Sequence, residues 1–136
     1  MFVSSFLLLL WINSIKHLLY CMKIREITEV LGAKIIVGKH RVEEDAVLKG
    51  FASDLMSDVL TLDEEEVLLI TGLCNIQTIR TAEMANIDVI LFVRNKDVSE
   101  EMIELAMEND MVLLQSKFSM FKTVGLLYGA GMKPIY

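Results

Sequence analysis

The sequence has few of the residues that build metal centres or disulfide frameworks. It contains two cysteines, Cys21 and Cys74, and two histidines, His17 and His40, with no CxxC motif and no closely spaced histidines. A structural zinc site needs about four such ligands, and a disulfide scaffold needs more cysteines. The sequence therefore predicts no metal and no cofactor, and it favours a reducing, cytoplasmic environment.

Positive charge is also scarce. The 136 residues include 13 basic and 19 acidic side chains, which gives a net charge of −6. The acids are grouped in the runs VEED, LDEEE and SEEMIE, which are typical of loops and helix starts. Because phosphate contacts dominate the affinity for DNA and RNA, an acidic chain without a basic stripe is not expected to bind nucleic acid.

The apolar run near the N-terminus is too short to cross a membrane. FLLLLWI has seven residues and is followed by Asn13, Lys16 and His17, whereas a span needs about 20 apolar residues. Three interpretations of residues 1–21 stay open. The favoured one is a hydrophobic extension that results from an upstream start-site artefact, with Met22 as the true start. The others are a weak membrane-associating helix and, least favoured, a cleaved signal. Residues 22–136 are expected to form the domain, without membrane association.

The pattern from Val67 onwards predicts alternating strands and helices. VLLIT, DVILFV and MVLLQS are short, continuous apolar runs, as in strands that are buried on both faces. The amphipathic segments NIQTIRTAEMAN, EEMIELAMEND and FSMFKTVGLLYGAG follow them in turn. Such β-α-β units require right-handed crossovers. The predicted fold class is therefore α/β, with a mostly parallel sheet flanked by helices.

The first half of the chain is expected to add one helix, two strands and a further helix. IREITEVLGA predicts an amphipathic helix that ends at Gly32, and KIIVG predicts a strand. In the strand VLKGFAS, Gly50 indicates a bulge or a close backbone approach. Ser53 or Asp54 is expected to cap the next helix. The side chains expected to be buried on this helix and on the helix after VLLIT are Leu55, Val59, Leu62, Ile76, Ile79, Ala82 and Met84.

The best-known nucleotide-binding motifs are absent, but one turn is a candidate site. Neither GxxxxGK[ST] nor GxGxxG occurs. The turn TGLCN follows the apolar run that starts at Val67, at the carboxyl end of a predicted parallel strand, where ligands of open α/β sheets bind. Free backbone N–H groups of a helix capped by Asn75 would suit an anion there. The favoured alternative is that Gly72 only permits a sharp turn.

Two further features are candidates for a cation site and for a catalytic nucleophile. Asp54 and Asp58, four residues apart on one predicted helix face, could take a divalent cation or a cationic ligand; a cap at Asp54 and a solvated Asp58 are favoured instead. Cys74 lies just before a predicted helix, whose dipole would lower the pKa of the thiol. No histidine is near it in sequence, so the fold would have to bring His40 to it. A packed, unreactive thiol is favoured.

Three segments, FASDLMSDVL, LLITGLCNIQTIRTAEMANIDVILFV and ELAMENDMVLLQSKFSMFKTVGLLY, resemble the DRTGG domain family. The resemblance covers residues 22–128 and is closest to small stand-alone DRTGG proteins of anaerobic bacteria. It implies an α/β sandwich similar to the N-terminal domain of HPr kinase/phosphorylase, with frequent dimerisation. It also implies the role of an accessory module, as in phosphate acetyltransferases and CBS-containing pyrophosphatases. Thr71 and Gly72 match the strand-Thr-Gly turn of the family, and Asn75 and Gln77 match its helix.

The sequence departs from this family at two turns. Leu73 and Cys74 stand where many members have Asp-Arg, and FVRNK stands where many members have a Thr-Gly-Gly turn. The P-loop half of HPr kinase is absent, so a serine kinase activity is not expected.

Together these observations predict a non-catalytic regulatory or sensory binding module that forms a homodimer. Its ligand would be a nucleotide or another anionic small molecule, and a protein partner is also open. A purely structural interaction module is the alternative, with the apolar terminal helix as an interface or, equally, docked into the core. A Cys74-dependent enzyme is least favoured. The candidate ligand-binding residues are Asp54, Asp58, Thr71, Gly72, Asn75 and Gln77, and the candidate interface residues are Phe118, Phe121 and Leu127.

Overall fold

The computed structural model describes residues 4–12 and 21–136. Residues 4–12 are helical and leave large apolar side chains such as Phe6 and Trp11 exposed. Within the two described ranges, no helix is long and apolar enough to cross a membrane. The predicted break at Asn13, Lys16 and His17 lies outside the described residues, so the three interpretations of residues 1–21 stay open.

Six strands form a mixed, mostly parallel sheet. One outer strand (Lys34–Val37) runs antiparallel to its neighbour (Val112–Gln115), whereas all other neighbouring strands of this sheet are parallel. A separate antiparallel ribbon pairs β1 (Met22–Lys23) with β3 (Ala46–Val47). The strands of the sheet, in spatial order, are β2 (Lys34–Val37), β7 (Val112–Gln115), β6 (Val89–Phe92), β5 (Val67–Thr71), β4 (Lys49–Ala52) and β8 (Lys133–Pro134). The predicted fold class is confirmed.

The helices cover both faces of this sheet, which explains the continuous apolar strands. Alternate residues of β5 point to opposite faces: Leu68 and Ile70 pack into one core cluster, and Val67 and Leu69 into the other. The first cluster lies under the helices Ile24–Leu31 and Met120–Gly129, and the second lies under the three helices between them in the chain. The helices are α1 (Ile24–Leu31), α2 (Met56–Val59), α3 (Ile76–Met84), α4 (Glu100–Glu108) and α5 (Met120–Gly129).

After β4, the path of the chain across the sheet changes direction once, at β7. From β4 to β7, each connection passes over the face covered by α2, α3 and α4 and moves one strand along the sheet. After β7, α5 passes over the opposite face and returns to β8, beyond β4. The loops that follow β6 and β7 therefore leave the sheet towards opposite faces. This is a topological switch point, and it lies between two adjacent strands.

Local signals explain most of the helix boundaries. The side chains of Asn75, Ser99 and Ser119 each accept a hydrogen bond from the backbone N–H three residues later, so each is an N-cap. This confirms the cap predicted at Asn75. Gly32 has a φ of 58° just after α1, as expected for a left-handed helix stop. A Cβ at Gly50 would lie 2.7 Å from Met132 Sδ, so the close neighbour is a side chain and not a backbone, and the register of β4 with β5 is regular, without the alternative bulge.

Three expectations about burial are wrong. The helix expected after Ser53 has only four residues, and Leu55 is exposed because it precedes that helix as its N-terminal flanking residue. Met84, at the end of α3, is 62% exposed, since the buried stripe of this helix continues through Ile79 and Ala82 instead. Leu127 is 1% exposed and belongs to the core, so it is not available as an interface residue.

Candidate functional site: the carboxyl edge of the parallel strands

The turn predicted to receive an anion already holds a carboxylate of this chain. Asp54 Oδ1 accepts a hydrogen bond from the Gly72 N–H at 2.7 Å and another from the Thr71 hydroxyl at 3.0 Å. The Thr71 hydroxyl oxygen in turn accepts the Leu73 N–H at 3.1 Å. An anion at the Gly72 amide would have to displace Asp54 and overcome the repulsion of its charge.

The pairing of β4 with β5 brings Asp54 to this turn. The parallel register sets Ala52 beside Ile70, and the Ser53 N–H donates to Ile70 O at 3.0 Å. The next residue, Asp54, therefore lies next to Thr71 and Gly72. The expected helix cap is thus corrected: α2 begins two residues later and has no side-chain cap, because the carboxylate bonds to the neighbouring strand's turn.

The predicted pairing of Asp54 with Asp58 is also corrected. Asp58 lies on α2, whereas Asp54 precedes that helix, so the two carboxylates do not share a helix face. In the described part of the chain, no group of three or more histidine, cysteine or carboxylate side chains is placed to hold a metal ion. The geometry does not unite these two residues into one cation site.

Asn75 and Gln77, at the start of α3, have different surroundings. Asn75 Oδ1 accepts the Thr78 N–H at 3.0 Å, and the Thr78 hydroxyl donates to Leu73 O at 2.7 Å. These bonds fix the entry into α3 and occupy one side-chain oxygen. Gln77 is exposed on the first turn of the helix. Asn75 therefore acts as a helix cap, and a ligand role for either residue stays a prediction.

Cys74 has the wrong surroundings for a nucleophile. Burial raises the pKa of its thiol, Lys96 acts in the opposite direction, and Asp97 raises the pKa further. The Sγ–H donates to Asp97 O at 3.3 Å. His40 Nε2 lies 3.0 Å from Asp110 Oδ1, and Asp110 comes just before β7, at the opposite edge of the sheet from Cys74. The fold therefore does not bring His40 to Cys74.

The loop after β6 (residues 94–97) begins with two consecutive residues in the left-handed region. Arg94 has a φ of 63° and Asn95 a φ of 53°. This conformation costs a residue with a Cβ about 1–2 kcal/mol, less for asparagine, whereas glycine adopts it freely. Both residues adopt this conformation although each carries a Cβ.

The loop after β7 (residues 116–119) is bonded to the 94–97 loop. The Arg94 N–H donates to Phe118 O at 2.8 Å, and the Asn95 N–H donates to Ser116 O at 2.9 Å. Gln115, at the end of β7, donates to Lys96 O at 2.6 Å through its side chain. The two loops therefore form one bonded unit across the switch point.

Buried hydroxyl groups and a ring organise the 116–119 loop. Ser116 is fully buried, shares a 3.0 Å hydrogen bond with the Thr123 hydroxyl and accepts the Phe118 N–H at 3.2 Å. The ammonium groups of Lys117 and Lys122 lie 5.6 Å and 4.1 Å from the centre of the Phe118 ring. Two positive charges are thus held beside one ring at this edge.

Basic residues gather at this edge without carboxylate partners. Arg94, Lys96, Lys117 and Lys122 follow β6 and β7, and within residues 4–12 and 21–136 none of them forms an ion pair. The ion pairs that are present involve basic groups elsewhere, such as Arg41 with Asp45. We call these four residues the basic group. The acids nearest to it along the chain and at the same edge are Asp54, Asp97, Glu100 and Glu101.

The opposite edge of the sheet carries a cluster of carboxylates. A cleft of about 470 Å³ opens there, with Arg41 on its wall. The guanidinium of Arg41 donates to Asp45 at 2.6 Å, to Asp88 at 2.9 Å and to Asp110 O at 2.6 Å. Burial alone would lower the pKa of Arg41, but the two carboxylates outweigh it and the pKa is raised. The hydrogen bonds of the Arg41 guanidinium are thus used within the fold. The carboxylates around this cleft would repel an anion. The acidic residues that line the cleft are Glu44, Asp45, Glu66 and Asp88.

The sequence analysis did not predict the basic group, because its members lie in two separate loops and a helix. A signal was present: Arg94, Lys96 and Lys117 come within a few residues after predicted parallel strands, and such positions share one edge of a sheet. The overall acidity of the chain concealed this group of basic residues.

Comparison with protein-family models and with curated proteins gives no match. A solved structure is similar in fold: the crystal structure of the CBS and DRTGG domains of the regulatory region of Clostridium perfringens pyrophosphatase, complexed with activator, diadenosine tetraphosphate. The TM-score is 0.65 and the sequence identity is 16%, over 77% of this chain and 45% of that chain. The present chain thus spans less than half of that chain's length. The likeness confirms a DRTGG-like α/β fold; the similarity to HPr kinase stays a prediction.

Proposed function

We propose that this chain is a non-catalytic regulatory module that binds a nucleotide, or a related anionic small molecule, at the carboxyl edge of its parallel strands. The observation that carries this proposal is the basic group, whose four side chains form no ion pair within the described residues. Although the chain has a net charge of −6, the basic group gathers at the edge where ligands of α/β sheets bind. The similar structure is a regulatory region complexed with diadenosine tetraphosphate, which supports both the regulatory role and the ligand class.

The electrostatic reasoning favours a ligand with several phosphates. Within the described residues the side chains of the basic group form no ion pair, and a bound polyanion would supply the counter-charge. Each direct contact between an ammonium or guanidinium and a phosphate is a charge-assisted hydrogen bond, stronger than a neutral one. We therefore expect the affinity to increase with the number of phosphate groups.

The same proposal includes a homodimer and leaves out catalysis. Phe121, on the first turn of α5, is 91% exposed, and Phe118 is half-buried beside it, so this part of α5 offers an apolar contact surface. Such a surface often marks an interface. Catalysis is left out because the Cys74 thiol has a raised pKa and His40 lies at the other edge. A purely structural interaction module would use the Phe121 surface alone and would bind no nucleotide.

The test is equilibrium binding by calorimetry with the 136-residue chain. The ligands are adenosine, AMP, ATP, diadenosine tetraphosphate and inorganic tripolyphosphate. We expect no binding of adenosine, an affinity that rises with phosphate number, and weaker binding at higher salt. A Lys117→Glu/Lys122→Glu variant should lose ATP binding. Lys39→Glu, an exposed lysine at the opposite edge, is the matched control and should retain it. The absence of binding to every phosphorylated ligand at millimolar concentration would refute the proposal.

A further inference from the structure

We infer that the phosphate groups of the ligand bind on the surface formed by the bonded 94–97 and 116–119 loops, and that Arg94 is the residue that selects them. This inference rests on the proposed function and gives it a place and a residue. The site is therefore displaced from the Thr71–Gly72 turn by one strand along the sheet.

The topology favours the loops that follow β6 and β7. In open α/β sheets, ligands bind outside the carboxyl ends of the strands where adjacent connections leave towards opposite faces. In this chain that position lies between β6 and β7, because α4 covers one face and α5 the other. The Thr71–Gly72 turn lies one strand away, between connections that leave on the same face.

Hydrogen bonding also favours the position between β6 and β7 over the Thr71–Gly72 turn. At the Thr71–Gly72 turn, the amide that an anion would use already donates to Asp54. Between β6 and β7, the amides of Arg94 and Asn95 donate to backbone carbonyl groups of the 116–119 loop. The backbone there serves to hold the two loops together. Recognition then falls to the exposed side chains: those of Arg94, Lys117 and Lys122 are positively charged, and Asp97 is the one carboxylate within these two loops.

The strain at Arg94 is the third observation. Two consecutive residues with a Cβ occupy the left-handed region, where glycine would be free of strain. Strained backbone of this kind is typically found at functional sites, where the surrounding structure maintains it. Arginine is not favoured in this conformation for any local reason, whereas asparagine tolerates it. A guanidinium binds a phosphate through two parallel hydrogen bonds, which gives a reason to retain arginine at this position.

The test compares Arg94→Gly with Asn95→Gly in the full chain. Arg94→Gly relieves left-handed strain and should raise the midpoint of thermal unfolding by about 2–5 °C, whereas Asn95→Gly should raise it less, because asparagine tolerates this conformation. Only Arg94→Gly should lose affinity, by at least about tenfold for both ATP and inorganic tripolyphosphate. Asn95→Gly should keep both affinities within about twofold. Arg94→Lys, which retains the charge but not the forked geometry, should lie between them.

The outcomes separate this inference from the proposed function. If the unsubstituted chain binds ATP and Arg94→Gly binds it equally well, the phosphates do not bind at the 94–97 and 116–119 loops, but the proposed regulatory function is not contradicted. If Arg94→Gly loses affinity but also loses thermal stability, the reasoning from strain is refuted. If the unsubstituted chain binds neither ATP nor tripolyphosphate, both the inference and the proposed function fail.

Discussion

Replacing Asp54 with alanine should destabilise the fold by about 1–2 kcal/mol. Its Oδ1 atom accepts hydrogen bonds from the Gly72 N–H at 2.7 Å and the Thr71 hydroxyl at 3.0 Å. A hydrogen bond to a charged group contributes about 1.5–3 kcal/mol when it is protected. Asp54 is exposed, so water can replace the carboxylate at the Gly72 amide. The Thr71 hydroxyl also keeps its bond with the Leu73 N–H. Both facts place the effect near the lower end of that range.

The measurement is urea unfolding followed by circular dichroism, with Asp58→Ala as the control. Asp58 is an exposed carboxylate four residues later on α2, and in the described residues its side chain forms no hydrogen bond. A surface substitution of this kind should change the free energy of unfolding by less than about 0.5 kcal/mol. The slope against urea should stay the same in both variants. Equal midpoints for the two variants would refute the stabilising role of Asp54.

The same Asp54→Ala variant tests where the phosphates bind. If they bind between the loops after β6 and β7, removal of Asp54 changes only a distant charge, and we expect the ATP affinity to change by less than about threefold. If they bind at the Thr71–Gly72 turn, the substitution frees the Gly72 amide and removes a competing carboxylate. A gain of about tenfold or more would place the ligand at that turn and contradict the assignment to Arg94.

Three further predictions concern single residues. Gly38→Ala should destabilise the fold by about 1–3 kcal/mol more than Gly32→Ala, as measured by urea unfolding. A Cβ at Gly38 would lie 2.8 Å from a backbone oxygen, whereas a Cβ at Gly32 would meet no atom within 4 Å. Equal effects of the two substitutions would contradict this clash. In a Cys21→Ser variant, Cys74 should react with iodoacetamide at pH 7 more slowly than free cysteine, since burial raises its pKa, and a faster rate would contradict this. Because the fold favours the neutral thiol, the stability that Cys74 contributes is complete below the ordinary thiol pKa and is lost as the pH rises above it. Phe121→Asp should convert a dimer into a monomer in sedimentation, and an unsubstituted chain that is already monomeric would exclude the proposed interface.

The alternation of elements after Val67 was predictable from the sequence because the strands are buried on both faces. Every residue of β5 and β6 is buried, and this leaves a continuous apolar run that differs from the amphipathic pattern of α3. The antiparallel direction of β2 was not predictable. KIIV is compatible with either direction, and its pairing with β7 is decided by contacts far away in the chain.

The location of the candidate site was predictable only as an edge of the sheet. The sequence predicted that the Thr71–Gly72 turn would lie at the carboxyl ends of the strands, and it does. It did not reveal that Asp54 bonds to that turn, since the same residue also fits the pattern of a helix cap, and the register of β4 against β5 decides between the two. The contact between Arg94 and Phe118 was equally hidden, because it depends on the chain reversing direction after β7.

The two outermost strands limit how copies of this chain can join. Along β2, the register shifts between Ile35 and Val37, which is typical of a β-bulge and interrupts a regular hydrogen-bonding edge. On the other side, β8 has only two residues, and one of them, Pro134, has no amide hydrogen to donate. Neither border offers a long, regular ladder to an incoming strand, so growth into fibres by continuous sheet extension is disfavoured, and side-chain surfaces are left as the means of assembly.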